Sequence, residues 1–226
     1  MLFQQKNIIY NKHEFFLNGI KLEKVLKYKY LGNIIETFGK LNSSFTELSK
    51  KVLFSIFKYL SSLERVSIKI YKKLFESLVK PVLMYNSEIW YMDFHEKISN
   101  AFNRAQNNDL NNFDMLSFID KSPTEKINLR FCKYVLGLSK QSVNIAARAE
   151  LAQYPVDVFI KVQSLKCLAR ISSDGNNPLL MDAFSFSKSL HSVGTYSWFS
   201  YVENICKFDN IDINIIQDNN NSHKNS

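Results

Sequence analysis

Six lysines, Lys50, Lys51, Lys58, Lys69, Lys72 and Lys73, carry the clearest chemical pattern in this 226-residue chain. They recur at spacings that place them on the outer sides of two consecutive amphipathic helices. Positive charge repeated along a helix suits a polyanion, because each ammonium that meets a phosphate releases counterions and demands no particular base. The same pattern also describes the ordinary solvent-facing side of an amphipathic helix, and the sequence leaves both readings open. Charge asymmetry suits the first and equally a solvated, lysine-rich face. Residues 1–80 hold 15 Lys+Arg against 6 Asp+Glu, whereas residues 81–226 hold 14 against 15, so the whole net charge of +8 arises from the first third.

Other chemistries lack their residues. No two aspartates are adjacent, and no carboxylates cluster as a two-metal site requires. His13, His95, His191 and His223 lie far from one another and from Cys132, Cys167 and Cys206, which excludes a zinc knuckle by spacing. The three cysteines each fall within a helix-like apolar pattern and read as reduced, buried thiols of an intracellular protein. No glycine-rich phosphate loop occurs, and no apolar run approaches the ~20 residues of a membrane span, so neither a cofactor nor a membrane is expected.

The lysines must be positioned by helices, and the patterning supplies them. Ser44 followed by Glu47 is a capping box. Phe45, Leu48, Val52, Ile56, Leu60 and Leu63 then form an apolar stripe, opposite Lys50, Lys51 and Lys58. From Tyr71 to Trp90, the residues Tyr71, Leu74, Phe75, Leu78 and Val82 predict a second buried face, with Lys69, Lys72 and Lys73 opposite. Pro81 predicts a kink or a break. Glu88, among aromatics, requires a hydrogen-bonding partner. Upstream, Phe15–Leu17 and Lys24–Ile35 read as strands flanking Asn18-Gly19, a dipeptide suited to a tight hairpin turn. An isolated hairpin is marginal, so its apolar side requires a cover.

Downstream, Glu96–Ala105 reads as a weak helix in a polar connection. Ser122-Pro123-Thr124-Glu125 is a helix start, combining a serine cap, proline at the first position and glutamate three on. Ile127, Phe131, Tyr134 and Val135 face inward, and Gly137 is the stop. Helices follow over Ser142–Gln153 and from Pro155 to Ile171, the latter with Phe159, Val162, Leu165 and Leu168 or Ala169 inward. Two more run over Leu179–Leu190 and Tyr196–Phe208. Arg130, Lys133, Arg148, Lys161 and Arg170 dot these helices without forming a run. The expected fold is mainly α, helical bundles preceded by a short N-terminal β-hairpin.

The run Leu74-Phe75-Glu76-Ser77-Leu78-Val79-Lys80-Pro81-Val82-Leu83-Met84-Tyr85-Asn86-Ser87-Glu88-Ile89-Trp90 resembles the thumb helix of non-LTR (LINE-type) retrotransposon reverse transcriptases. Lys27-Tyr28-Lys29-Tyr30-Leu31-Gly32 is similar to the strand that closes the palm of those enzymes. Phe131 to Gly137 and Asn144 to Pro155 are similar to the helical region beyond the thumb. The resemblance covers roughly residues 15–172. It implies a C-terminal fragment organised as a palm-end hairpin (1–36), a thumb-like helical hairpin (37–92), a connection (93–120), a helical C-terminal domain (121–216) and a disordered tail (217–226).

It also implies partners and a place. RNA or an RNA–DNA duplex would lie against Lys50, Lys51, Lys58, Lys69, Lys72 and Lys73, the missing palm and fingers or another protein would cover the hairpin, and the location would be nuclear. The family polymerises DNA through palm carboxylates in a Tyr-X-Asp-Asp turn, and this chain has none, so no catalysis is expected. A helical protein-interaction module, or a relic without selected function, are the alternative readings.

Overall fold

The chain's turn chemistry sets its first elements. The computed structural model describes residues 14–23, 25–30, 33–36, 47, 50–52, 58, 66–108, 114–173 and 177–218. Strands β1 (Phe16–Leu17) and β2 (Ile20–Lys21) pair antiparallel, with Leu17 opposite Ile20. Asn18 and Gly19 between them both take positive φ, 50° and 78°, the geometry that matches the right-handed twist of a hairpin. The expected second arm, Lys24–Ile35, is instead a second hairpin: β3 (Lys27–Tyr30) pairs with β4 (Asn33–Glu36), Tyr30 opposite Asn33. The cover expected over this region is not seen among the described residues, where Phe16, Leu17, Ile20, Leu26, Tyr28 and Tyr30 are all exposed.

Of the helix expected over Phe45–Leu63, Glu47, Lys50, Lys51, Val52 and Lys58 are described and helical. The Ser44 cap and the rest of its stripe lie outside the described residues, as does the loop 37–42. Helix α1 (Ile68–Leu74) runs into a π turn (Phe75–Val79) and then α2 (Lys80–Leu83). The proline is accommodated here. Pro81 has no N–H and its ring crowds the carbonyl four residues back, and the widened turn, in which the Lys80 N–H reaches the Phe75 carbonyl, relieves that crowding. The helix therefore continues through Pro81, and the break comes at Asn86, whose φ of 52° precedes α3 (Ser87–Trp90). A π turn adds one residue to the repeat, so the buried face shifts by one. Phe75, Val79 and Leu83 are buried, whereas Leu78 and Val82, expected inside, are exposed.

Helix α4 (Met92–Asn108) is far longer than the segment expected, and α5 (Met115–Asp120) follows, capped by Asp114, whose carboxylate accepts from the Ser117 N–H at 3.2 Å. Helix α6 (Pro123–Val135) starts at the predicted cap, Ser122 Oγ accepting from the Glu125 N–H at 3.1 Å. It ends where Gly137 turns left-handed, φ 64°, and the Leu138 N–H returns to the Lys133 carbonyl. Then come α7 (Asn144–Glu150), α8 (Val156–Ser173), α9 (Pro178–Ser192) and α10 (Trp198–Phe208). A further helix, α11 (Ile213–Asp218), occupies the first two positions of the expected tail, Gln217 and Asp218, because Ile213 and Ile216 pack on the core. Residues 219–226 lie outside the described residues. The fold is mainly α with β-hairpins at its N-terminal end.

Two apolar cores organise the helices, and both cross the expected boundaries at 92/93 and 120/121. One gathers Val156, Ile160, Leu168 and Ile171 of α8 with Trp90, Tyr91, Phe184, Tyr201, Val202 and Ile205. The other gathers Val52, Phe75, Val79 and Leu83 with Ile127, Phe131, Cys132, Ala147 and Leu151. The inward face of α8 differs from the expected one: Ile160, Ser164, Leu168 and Ile171 are buried, Val162 is exposed, and half-buried Phe159 lies beneath the Lys80 ammonium, 3.1 Å from the ring centroid. Ser164 belongs inside because its hydroxyl donates to the Ile160 carbonyl and pairs with the Tyr201 hydroxyl, each at 3.0 Å. Cys132 and Cys206 are buried free thiols and Cys167 is half-buried.

Phe131, 1% exposed and stacked on Phe75 with centroids 4.3 Å apart, is a fixed point of the second core. Phe131→Ala should cost about 3–5 kcal/mol in urea unfolding. Val162→Ala, at the exposed position, should stay within about 0.5 kcal/mol.

His95 on α4 is 1% exposed, its ring edge-on to Tyr201 with centroids 5.0 Å apart. Burial first, and the Lys161 charge second, hold its pKa down at about 3 against an ordinary 6.5. The unfolded chain then binds more protons between pH 6.5 and about 3, so stability falls as pH drops through that window. Acidification from pH 7 to pH 4 should cost about 3 kcal/mol through this residue. His95→Gln should show a correspondingly flatter dependence of unfolding free energy on pH.

Candidate nucleic-acid interface

Five of the six lysines singled out above, Lys50, Lys51, Lys58, Lys69 and Lys73, are exposed on helical backbone, and Lys72 is half-buried. Lys50 and Lys51 adjoin Val52, which is buried in the same core as Phe75 and Val79. Those two therefore belong to the body that carries Lys69, Lys72 and Lys73. Lys51 is partly compensated: its ammonium lies 2.6 Å from Glu47, and Lys29 reaches the same carboxylate at 3.6 Å. Lys51 first, then Lys29, lower the pKa of the Glu47 carboxyl. Both partners are substantially exposed, so this pairing contributes little to stability.

A second basic surface is concave. Lys126, Arg130, Lys133 and Tyr134 recur along one side of α6 at the i, i+4, i+7 and i+8 positions, and with Leu129 they form one wall of a cleft of 660 Å³. Leu138 and Lys140 of the α6–α7 connection, with Asn144 and Asp120, form the other. The connection is tied down at several points. The left-handed Gly137 turns the chain, the Lys133 ammonium donates to the Lys140 carbonyl at 2.8 Å, and the Ser139 and Ser142 hydroxyls pair at 3.2 Å.

Behind this cleft lies a buried polar cluster. Arg148, on α7, donates to Asp120 at 2.6 Å and to Glu125 at 2.9 Å. Glu125 is fully buried and accepts further from Asn128 Nδ2 at 3.0 Å and from the Val156 N–H at 2.7 Å. Asn144 donates to the second oxygen of Asp120 at 2.9 Å. Burial pushes the Glu125 carboxyl above its ordinary range, and the Val156, Asn128 and Arg148 donors counter it. Burial likewise opposes the Arg148 charge, but its bonds to Asp120 and Glu125 hold it above its usual value. The Asn128, Arg148 and Val156 partners all donate to Glu125, the arrangement of a carboxylate rather than a carboxylic acid. Cys132, 3.9 Å from Asn128 Oδ1, is pushed by burial, and then by the Glu125 charge, up to about 12, which makes it an inert thiol.

No protein-family model matches the chain, and no curated protein or solved structure matches it. Among the described residues no three or more His, Cys, Asp or Glu side chains converge as a metal site, and no helix is long and apolar enough to cross a membrane.

The cleft is not legible from the sequence pattern alone. One signal is present: three cations of α6 fall on one helix side, opposite Ile127 and Phe131. What the sequence does not supply is the second wall, which exists only because the connection folds back at Gly137. Glu125 reads only as the glutamate three residues after the serine cap, whereas its carboxylate meets Arg148, Asn128 and the Val156 N–H.

Arg148→Met removes one partner and leaves Glu125 buried beside fewer donors. It should destabilise the protein by about 3–5 kcal/mol in chemical unfolding. The double variant Arg148→Met, Glu125→Gln should recover part of that loss, because the amide removes the stranded charge.

Proposed function

We propose that this protein is a non-catalytic nucleic-acid-binding chain that holds an RNA or RNA–DNA duplex by its phosphates, as the resemblance to the thumb region of LINE-type reverse transcriptases implies. The observation that carries the reading is the exposed set Lys50, Lys51, Lys58, Lys69 and Lys73, with half-buried Lys72, in the third of the chain that supplies all the excess positive charge. Exposed ammoniums on helices give affinity without base discrimination, which suits a surface that follows a duplex of any sequence. In the family it resembles such a region works beside a palm, and the exposed hairpins at residues 14–36 suit contact with a partner surface of that kind. Work on such a duplex would be nuclear.

A second reading, a helical module that binds another protein, is favoured by one observation: Leu26, Tyr28 and Tyr30 expose aromatic and apolar surface on and beside a two-stranded sheet.

A salt titration of binding to a short RNA–DNA hybrid tests the first reading. Affinity should fall steeply as salt rises. Replacing Lys50, Lys51, Lys58, Lys69, Lys72 and Lys73 with Gln should flatten the log–log slope by up to about 5, near 0.9 for each phosphate no longer neutralised. An unchanged slope, or no binding at low salt, removes the reading, and salt-independent self-association in light scattering would then favour the protein-binding module.

A further inference from the structure

The cleft between α6 and the α6–α7 connection lies outside the lysine set assigned to the duplex and does not depend on it. It is an open cleft whose volume, 660 Å³, falls within the range of small-molecule sites. Its chemistry is divided. Lys126, Arg130, Lys133 and Lys140 present four cations, while Tyr134 and Leu138, both exposed, present an aromatic ring and an aliphatic side chain in the same space. Among the described lining residues the one acidic side chain, Asp120, faces these four cations and is met from behind by Arg148 at 2.6 Å, a charge it shares with Glu125, and by the Asn144 amide at 2.9 Å. The field inside is therefore positive despite that carboxylate.

We propose that this cleft binds a nucleoside phosphate, the anion held by Lys126, Arg130 and Lys140 and the base stacked on Tyr134 against Leu138. The argument is one of paired requirements. A bare anion has no use for the ring and the aliphatic wall, and an apolar ligand has no use for four cations. A nucleoside phosphate uses both, because every base offers a π-face and every phosphate an anion. Arg130 supplies a planar fork for phosphate oxygens, and Lys126, one helical turn away, adds a point charge. The cleft is also prepared in advance. The Lys133 ammonium is committed to the Lys140 carbonyl, and the Asp120–Arg148–Glu125 cluster fixes the base of α7, so the backbone around the cleft is already in place before binding. The nucleoside phosphate can come from a free nucleotide or from a single-stranded segment of a polynucleotide, and the two share this chemistry.

The test uses the full chain with two probes, ADP and a fluorescein-labelled single strand of about ten nucleotides. The variants are Lys126→Gln with Arg130→Gln, and Tyr134→Ala, all at exposed positions where folding is verified by circular dichroism. At least one probe should bind, the double variant should weaken it at least tenfold, and Tyr134→Ala should weaken it about tenfold. Inorganic phosphate, used as a competitor, should lose affinity in the double variant and keep it in Tyr134→Ala. ADP that binds and displaces the strand identifies a free nucleotide as the source, and strand binding that ADP does not displace identifies a polynucleotide; either supports the site. The six-lysine variant used on the hybrid should leave both probes bound, which separates failure of this site from failure of the duplex reading. Binding of neither probe, or affinity unchanged in the double variant or in Tyr134→Ala, overturns the proposal.

Discussion

The Glu125 carboxylate is the constraint on which the C-terminal half of this protein turns. A fully buried carboxylate is costly unless its oxygens are met by donors, and here they are met from three different places: Asn128 one turn along the same helix, Arg148 on α7, and the backbone N–H that opens α8. Each donor fixes an element. Arg148 in turn reaches Asp120 at the end of α5, so a single ion-pair cluster sets four consecutive helices against one another. Such clusters add little net stability over well-packed apolar residues, because desolvation consumes most of the attraction. Their effect is on uniqueness: α7 cannot slide along α6 without stranding a charge.

A similar logic joins the earlier helices to α8. Gln163 donates to the Glu88 carboxylate at 2.5 Å and to the Met84 carbonyl at 3.3 Å, the Trp198 indole donates to the Glu88 carbonyl at 2.8 Å, and Tyr91 donates to buried Asp157. Asp157 also holds Lys161 at 3.3 Å. The partner that Glu88 requires is thus a side chain 75 residues away. These bonds sit at the edge of the first core, whose apolar area supplies the driving force, while the polar links choose among the packings that would bury it.

What can be read from the sequence is local. The Asn18-Gly19 turn, the Ser122 cap and the Gly137 stop each depend on residues within a few positions, and each stands where the residue types place it. Expectation and structure part where a distant partner decides. Leu78 and Val82 fit an α-helical stripe, but Pro81 forces a π turn that moves Val79 and Leu83 into their place. On α8 the pattern favours Val162 over Ile160 and Ser164, because a serine counts against a buried face until a Tyr201 hydroxyl is known to wait there. Glu125 and Arg148, 23 positions apart, carry no mutual signature. The lysines stand on helices as the spacing implies, whereas the cleft needs a loop whose course no periodicity encodes.

The two basic surfaces do not follow from charge in the same way. On α1 the Lys69 and Lys73 side chains are exposed, each charge screened within about 10 Å by salt, so they act as separate weak contacts. Around the cleft, the four cations of its lining act on one confined space, so their fields add where a phosphate would sit. Yet both surfaces hang from one packing event. Helix α6 is amphipathic: the side opposite Lys126, Arg130 and Lys133 carries Phe131, which stacks on Phe75 in the π turn below the α1 lysines. The widened turn that Pro81 imposes is what leaves Val79 and Leu83 in line with Phe75 beneath that stack. The lysine face and the concave cleft are therefore joined through one core, in which Phe75, Val79 and Leu83 pack with Ile127 and Phe131.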